Sequence, residues 1–231
     1  SRMIVSSAGV RDDLLEHFGG VPDRVVVIPN GIDLQRVDRL SREPCPELPS
    51  FDGVTVIMVA RLCPGKDFST LIDAVAGAQK TIRVRLVLVG EGDYQNEIER
   101  MISRQNLGQQ VLLVGYQSNP FKFMKRSDCF VLSSFHEGFG NVLVEAMALG
   151  LPVLSSDCPT GPREIIDNGE NGFLFPVGDK EALISLILRL QSDAELRAKL
   201  SCAALQRAQN FEAKAMVTRY EDLIEEALNE R

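Results

Sequence analysis

The sequence contains no tryptophan, only two histidines and no run of lysine or arginine. Its formal net charge is −7, which argues against a nucleic-acid surface, because such a surface needs clustered positive charge. The histidines, His17 and His136, stand far apart in the sequence. We therefore expect no tight metal site and no nucleic-acid partner.

Cysteine usage and apolar runs exclude further classes of protein. The five cysteines are odd in number and widely spaced, without a CxxC pair, which favours a reduced compartment over a disulfide framework. No apolar run approaches the length that spans a bilayer. Residues 90–95 lack the third glycine of a dinucleotide fingerprint, and Gly65-Lys66-Asp67 lacks the hydroxyl and upstream glycine of a P-loop. These patterns exclude an NAD site and a P-loop.

Apolar, β-branched runs alternate with helix-forming segments along the chain. The runs predict strands at residues 3–6, 25–28, 54–60, 85–89, 111–114, 130–133, 152–155 and 173–175. The segments between and after them predict helices at residues 10–18, 68–78, 94–105, 120–125, 142–149, 162–166, 180–190, from 192 onward, and 212–228. This alternation predicts an α/β fold, a Rossmann-like parallel sheet with helices on both faces.

The most informative stretch lies between two glutamates, Glu137 and Glu145. It follows the apolar run 129–132 and leads into a helix-forming segment, so it has the pattern of a strand, a glycine-rich turn and a helix N-terminus. Free amides at a helix start attract anions, and glycines allow a ligand to approach the backbone. The carboxylates would instead accept hydrogen bonds from hydroxyls, which suggests a nucleotide-sugar. The alternative is an ordinary structural joint with an acidic first turn.

Two cations follow the apolar run 54–60. Arg61 ends the predicted strand and Lys66 lies in the turn after it. Open parallel sheets bind ligands at the carboxyl ends of their strands, where these cations could neutralise a diphosphate. The alternative is that both are solvated loop charges.

With these features together, the sequence resembles the nucleotide-binding half of retaining glycosyltransferases with the GT-B fold, specifically the large family 4. The matching stretches are Ile28-Pro29-Asn30-Gly31-Ile32-Asp33, Ala60-Arg61-Leu62 through Lys66, Leu88-Val89-Gly90-Glu91-Gly92, residues 127–134, Glu137 through Glu145, and Gly150-Leu151-Pro152-Val153-Leu154. The resemblance runs from about residue 3 to about residue 226. One departure is Asp67, which stands where many members carry glycine.

The resemblance implies a role for each matching residue. Arg61 and Lys66 would bind the donor diphosphate and stabilise the leaving nucleotide, and Glu137 would contact hydroxyls of the donor sugar. The remaining donor-binding residues are Gly138, Phe139 and Gly140 through the backbone at the sugar, Asn141 and Val142 through their amides at the phosphate, Glu145 at the ribose, and Gly90, Glu91 and Tyr116 near the base. No cofactor or metal is expected.

The resemblance also implies a division of the chain. Residues 1–39 would be a remnant of an N-terminal acceptor domain with its connector, 40–51 a proline-rich linker, 52–210 the nucleotide-sugar-binding domain and 211–231 a C-terminal helix. The missing domain would bind a glycan or lipid-linked acceptor and supply any peripheral contact with the membrane. Asn30 and Gly31 would line the open side of the cleft. We expect a cytoplasmic location, with membrane contact at its inner face.

The function predicted on this basis is transfer of a hexose or N-acetylhexosamine from a nucleotide diphosphate sugar in surface polysaccharide synthesis. The stretch from Cys158 to Ile165 resembles a variant found in members that build bacterial surface glycans, and this favours a UDP-linked donor. The chain alone would be inactive. Two alternatives stay open, a nucleotide-sugar epimerase of the same fold and a non-catalytic nucleotide-sugar binding module.

Overall fold

The computed structural model describes residues 2–229 and confirms the α/β architecture. The strands are β1 Met3–Val5, β2 Val25–Val27, β3 Val54–Val59, β4 Val84–Val89, β5 Val111–Gly115, β6 Cys129–Leu132, β7 Val153–Ser156 and β8 Phe173–Phe175. The helices are α1 Ala8–Phe18, α2 Leu34–Ser41, α3 Phe68–Ala78, α4 Gln95–Arg104, α5 Phe121–Met124, α6 Asn141–Ala148, α7 Pro162–Ile165, α8 Lys180–Ser192, α9 Ala194–Gln209 and α10 Ala213–Asn229. The predicted boundaries of shared elements differ from these mostly by one or two residues.

Six strands form one parallel sheet in the order β5-β4-β3-β6-β7-β8. The chain builds outward from β3 through β4 to β5, and then crosses back to place β6 on the other side of β3. The order therefore reverses between β3 and β6. At such a switch point the loops after the two central strands run in opposite directions and leave a crevice at the carboxyl edge of the sheet.

The core explains why the central strands are mostly apolar rather than alternating between apolar and polar residues. Strands β4 and β6 are buried along their whole length, because helices cover both faces of the sheet. Helix α3 packs against α8 and α4, while α6 packs against α9 and α2. Large side chains with less than 2% exposure fill the spaces between these layers, among them Phe68, Phe123, Phe130 and Phe175. Each contributes about 1.5–3 kcal/mol through burial.

Helix α2 is an element that the sequence pattern did not predict. The Asp33 side chain caps it by accepting a hydrogen bond from the Arg36 amide at 2.8 Å, and Val37 is buried. The helix ends inside the predicted linker 40–51. Further along that segment Cys45 and Leu48 are buried in the core. The prolines after residue 43 suggested an extended linker, but these apolar side chains dock it on the domain.

The N-terminal part of the chain forms a two-stranded sheet of its own. Strands β1 and β2 pair in parallel, with Met3 opposite Val25, and they do not join the six-stranded sheet. Helix α1 has no fully buried residue. The division into domains stays a prediction. Within residues 2–229, the longest apolar stretch of any helix is too short or too charged to cross a membrane.

Candidate functional site

The loops that follow β3 and β6 meet at the switch point and are joined by hydrogen bonds. The Ser133 hydroxyl reaches the carbonyls of Lys66 and Asp67, at 2.9 and 3.0 Å. The Phe135 amide donates to the Gly65 carbonyl at 2.9 Å. Ser133 itself is fully buried. The backbone that carries Lys66 is thus fixed against the end of β6, which places this cation beside the glycine-rich turn.

Lys66 and Glu137 form the central contact of the site. The Lys66 Nζ lies 2.5 Å from Glu137 Oε1, and the two side chains are only 21% and 11% exposed. The Ser134 hydroxyl donates to the same oxygen at 2.6 Å. A pair this shielded from water is electrostatically stronger than a surface pair. Two of the three residues predicted as catalytic are therefore in direct contact.

Arg61, the third residue predicted as catalytic, is exposed and free. Among residues 2–229 no side chain or carbonyl accepts a hydrogen bond from its guanidinium. It lines an open cleft of about 720 Å³ together with Glu91, Gly92, Asp93 and Tyr116. A free guanidinium has five donors in a planar fork, a geometry that matches phosphate oxygens. The structure thus groups Arg61 with two of the residues predicted to lie near the base.

Gly90 and Gly92 allow the β4 loop to touch the β3 loop. A Cβ atom at Gly90 would overlap the Ala60 carbonyl oxygen, and one at Gly92 would overlap the Leu62 carbonyl oxygen. The Leu62 amide donates to the Glu91 carbonyl at 2.8 Å and closes this contact. These glycines therefore support the backbone on which Arg61 stands. The structure shows this supporting position for Gly90, while a direct contact with a base stays a prediction.

Helix α6 begins directly after the glycine-rich turn, and no side chain of the described residues caps its first backbone amides. Gly140 precedes it with φ 96°, a left-handed conformation that suits glycine. Aspartates cap α2, α3, α8 and α9 instead. The amides of Asn141 and Val142 therefore lie where an anion would bind. The Asn141 side chain accepts a hydrogen bond from Asn30 at 2.9 Å.

Glu145 lies one turn further along α6 and is half-buried. Burial raises the pKa of its carboxyl above the usual value, and the nearby Arg36 guanidinium of α2 opposes that rise. Within the described part of the chain it makes no hydrogen bond or ion pair. A desolvated carboxylate without partners is costly, which makes it a candidate for ligand contact. It does not touch Lys66, Glu137 or Arg61.

The one large apolar side chain of the glycine-rich turn, that of Phe139, is buried in the core. The Phe139 ring is 3% exposed and packs edge-on against Phe211, with ring centroids 5.5 Å apart. Only backbone atoms of Phe139 can therefore face a ligand. The Gly138 carbonyl already accepts a hydrogen bond from the Ser7 hydroxyl at 2.7 Å, so its remaining lone pair and its amide are what a sugar could reach.

The departure at Asp67 has a structural reason. Residue 67 adopts a left-handed conformation, φ 45° and ψ 56°, which glycine adopts freely and aspartate tolerates. In exchange, the Asp67 side chain caps α3 through the Thr70 amide at 3.2 Å. The substitution thus keeps the turn that presents Lys66 and adds a helix cap.

Sequence reasoning missed several residues that support the site. Ser133 and Ser134 follow an apolar strand directly, a pattern that could have marked them as loop-anchoring hydroxyls. Ser7 and Arg36 gave no such signal, because their contacts come from distant parts of the chain. Among residues 2–229, no three histidine, cysteine or acidic side chains gather as ligands of a metal would.

The fold places the chain in the doubly wound, Rossmann-like class of α/β proteins. The chain belongs to the family described as glycosyl transferases group 1, whose sequence profile matches residues 48–207. The predicted resemblance to a GT-B glycosyltransferase domain is thereby confirmed, while assignment to family 4 stays a prediction.

Similar proteins carry related names. An uncharacterized glycosyltransferase of Methanocaldococcus jannaschii is 30% identical over 256 residues, covering 96% of this chain and 63% of the relative. The N-acetylgalactosamine-N,N'-diacetylbacillosaminyl-diphospho-undecaprenol 4-alpha-N-acetylgalactosaminyltransferase of Campylobacter jejuni is 30% identical over 210 residues, covering 91% of this chain and 56% of the relative.

Solved structures agree on the fold. A glycosyltransferase from Rickettsia africae superposes with a TM-score of 0.90 at 23% identity, covering 99% of this chain and 64% of that one. Anabaena Alr3699/HepE, crystallised with UDP and glucose, gives 0.87 at 26% identity, covering 97% and 63%. The chain thus spans about 56–64% of the length of these relatives.

Proposed function

We propose that this chain is the donor-binding part of a retaining glycosyltransferase of family 4. The enzyme would transfer a hexose or N-acetylhexosamine from a UDP-sugar to a glycan or lipid-linked acceptor in surface polysaccharide synthesis. The observation that carries the proposal is the shielded Lys66–Glu137 pair at the switch point, beside the free Arg61 guanidinium and the uncapped amides of α6. These groups offer positive charge and hydroxyl acceptors in loops that follow neighbouring strands, at the carboxyl edge of the sheet.

The cations supply the electrostatic part of the chemistry. Breaking the bond between the sugar and the nucleotide leaves negative charge on the departing diphosphate. Arg61 would clamp the phosphate oxygens with its planar fork, and Lys66 would add a mobile point charge. Because this charge grows as the bond breaks, the two cations stabilise the transition state more than the bound donor.

The carboxylates would hold the hydroxyls. Glu137 accepts from Lys66 and Ser134 through one oxygen, Oε1, which leaves Oε2 able to accept from a donor-sugar hydroxyl. Glu145 has no partner within residues 2–229 and would accept from the ribose hydroxyls. Both contacts would orient the donor, whereas neutralisation of the diphosphate is left to the cations and the backbone amides. The phosphate would also reach the Asn141 and Val142 amides.

Several proposals rest on the resemblance and the relatives. The UDP donor is supported by the Anabaena structure with UDP and glucose, and the acceptor class by the Campylobacter relative. We propose that a domain outside this chain binds the acceptor and makes any membrane contact, at the cytoplasmic face. We propose that Arg61, Lys66 and the α6 amides neutralise the diphosphate without a metal or cofactor.

A ligand screen tests the proposal. Thermal unfolding would be followed with UDP, GDP, ADP, UMP and uridine at equal concentrations. We expect UDP to raise the melting temperature more than UMP or uridine do, because the cations and α6 amides would bind a diphosphate, and more than GDP or ADP do, because the resemblance and the Anabaena structure favour uridine. Bound ligand at 100 times its Kd would contribute about 2.7 kcal/mol. No shift with any nucleoside diphosphate would contradict the proposal. Incubation of the full-length enzyme, acceptor domain included, with a UDP-sugar and a glycan or lipid-linked acceptor, followed by NMR of the product, then separates transfer with retained anomeric configuration from epimerisation.

A further inference from the structure

The glycine-rich turn at residues 137–140, called the donor loop below, is contacted by two segments that are distant in sequence. Thr160 donates its hydroxyl to the Glu137 carbonyl. Ser7 donates its hydroxyl to the Gly138 carbonyl at 2.7 Å. The Phe139 carbonyl lies so close to Gly161 that a Cβ atom there would overlap it. Two successive carbonyls of the loop therefore accept hydrogen bonds from Ser7 and Thr160, and the third packs closely on Gly161; none of these contacts comes from the sheet.

Glu164 binds these two segments to one another. The Ala8 amide donates to Glu164 Oε2 at 2.7 Å, and the Gly9 amide donates to Oε1 at 3.0 Å. These are first-turn amides of α1, which have no partner within their own helix and carry partial positive charge. Both carboxylate oxygens are used, so the contact fixes the direction of α1 as well as its distance.

Ser7 connects the amino end of α1 to the donor loop through hydrogen bonds. Its hydroxyl oxygen accepts from the Val10 amide at 3.2 Å and so caps α1, while its hydrogen goes to the Gly138 carbonyl. Ser7 is fully buried. Gly9 lies against Thr160, close enough that a Cβ atom would approach the threonine methyl carbon at 2.8 Å. The amino end of α1 therefore packs directly against residues 160–161, and both contact the donor loop.

Helix α7, which carries Glu164, is itself held from α9. The Arg207 guanidinium donates to the carbonyls of Glu164 and Ile165, at 2.7 and 2.8 Å. It also lies 5.3 Å from the centre of the Phe211 ring, which packs on Phe139. The same guanidinium thus supports Glu164 from one side and, through the aromatic pair, the donor loop from the other.

We propose that Glu164 is a positioning residue that holds the amino end of α1 against the donor loop through Ser7, and thereby keeps this loop in its donor-binding conformation. No donor atom contacts Glu164 in this arrangement. Without its carboxylate, α1 detaches and the Gly138 carbonyl loses its partner, so the binding-competent fraction of the loop falls. A fall to one tenth weakens apparent affinity roughly tenfold. The link to donor binding rests on the proposed function.

The test uses the 231-residue chain with variants Glu164→Ala, Glu164→Gln and Ser7→Ala. Arg163→Ala is the matched control, because Arg163 is the neighbour of Glu164 on α7 but pairs with Asp157 and not with α1. Amide hydrogen exchange is followed in peptides covering residues 8–10 and 137–140, and UDP affinity is measured by calorimetry. Each is read at a temperature where all variants remain folded.

In Glu164→Ala we expect faster exchange in both segments and a roughly tenfold loss of UDP affinity. Glu164→Gln should lie between this variant and wild type, since the amide oxygen still accepts one bond. Ser7→Ala should raise exchange at residues 137–140, and Arg163→Ala should change neither segment.

Exchange in Glu164→Ala that rises only at residues 8–10, with the donor loop and UDP affinity unchanged, would show that Glu164 merely caps a helix and would overturn the inference. If Glu164→Ala does not fold, Glu164→Gln and Ser7→Ala give the same decision. Failure of the wild-type chain to bind UDP would count against the proposed function alone, because the exchange measurement decides the inference without a ligand.

Discussion

The two cations of the site have different neighbours, and this difference predicts different costs of removal. Lys66 is paired with Glu137 where both are largely shielded from water, whereas Arg61 is exposed and unpaired within residues 2–229. Lys66→Ala would leave the Glu137 carboxylate mostly buried with only the Ser134 hydroxyl as a partner. We therefore expect Lys66→Ala to lower the free energy of unfolding by about 1–3 kcal/mol and Arg61→Ala to leave it unchanged.

Urea unfolding of both variants at neutral pH checks this. Lys199→Ala serves as the control, since Lys199 is an exposed lysine on α9. Equal stability of Lys66→Ala and wild type would mean that the Lys66–Glu137 pair is not formed in the unliganded protein.

Glu145 predicts a pH dependence of stability. Because burial raises the pKa of its carboxyl in the folded state, the contribution of Glu145 to stability is greatest below the pKa of the unfolded chain. That contribution is lost as the pH rises through the folded pKa. Glu145→Gln has no charge to desolvate, so we expect it to be more stable than wild type at pH 7 and above.

The difference should shrink toward zero below about pH 4, near the ordinary carboxyl pKa. Urea unfolding of wild type and Glu145→Gln over a pH series measures it. A stability difference that does not change with pH would contradict the buried, unpaired carboxylate. If Glu145 also binds ribose, the more stable variant should bind UDP about 2- to 10-fold more weakly, because the glutamine amide oxygen still accepts a hydrogen bond but loses the charge-assisted part of it.

At the residue scale, the sequence predicted groups with distinctive chemistry in a distinctive pattern, such as Arg61, Lys66 and the two glutamates. It could not predict Ser7 or Glu164, since an ordinary serine or glutamate becomes a positioning group only through a contact about 130–160 residues away. Nor could it show that the Phe139 side chain is core. The aromatic pair with Phe211 depends on how α9 packs against α6.

Among the elements, the glycine that ends β4 bears most directly on the site. Gly90 has φ 143° and its Cα faces the Ala60 carbonyl, one residue before Arg61. Gly90→Ala would combine a strained backbone, about 1–3 kcal/mol, with an overlap that must push the two loops apart. We expect reduced stability and weaker UDP binding, because Arg61 would be displaced.

Gly108→Ala is the control for this change, since a Cβ atom at Gly108 meets no atom within 4 Å. Thermal melting and calorimetry of both alanine variants make the comparison. A Gly90→Ala variant with the melting temperature of Gly108→Ala would refute the close approach of the β4 and β3 loops.

The strands of the six-stranded sheet were predicted from the sequence, whereas helix α2 was not. The strands of the large sheet are short, mostly apolar and rich in β-branched residues, and turn-forming residues bound them, so all of them were predicted. Helix α2 was missed because it is short and mostly polar, and its strongest local features are the Asp33 cap and the buried Val37. Its stability comes from packing on α5 and α6, a tertiary effect that local patterns do not contain.

On the scale of the whole molecule, the order of the strands creates the site. Alternation along the chain predicts a parallel sheet but leaves open on which side of β3 each strand lies. Because β6 lies beside β3, the loop with Arg61 and Lys66 faces the loop with Glu137. Had β6 been added beyond β5, the same residues would have been separated by two further strands.

The central claim is that this crevice binds a nucleoside diphosphate through Arg61, and calorimetric titration of UDP tests it most directly. The wild-type chain, Arg61→Ala and Lys199→Ala would be titrated under identical conditions. Removing one charge-assisted contact costs about 1.5–3 kcal/mol, so Arg61→Ala should bind UDP about 10- to 150-fold more weakly with an unchanged melting temperature. Lys199→Ala should bind as wild type does. Equal UDP affinity in Arg61→Ala and wild type, or no binding to the wild-type chain, would contradict the account.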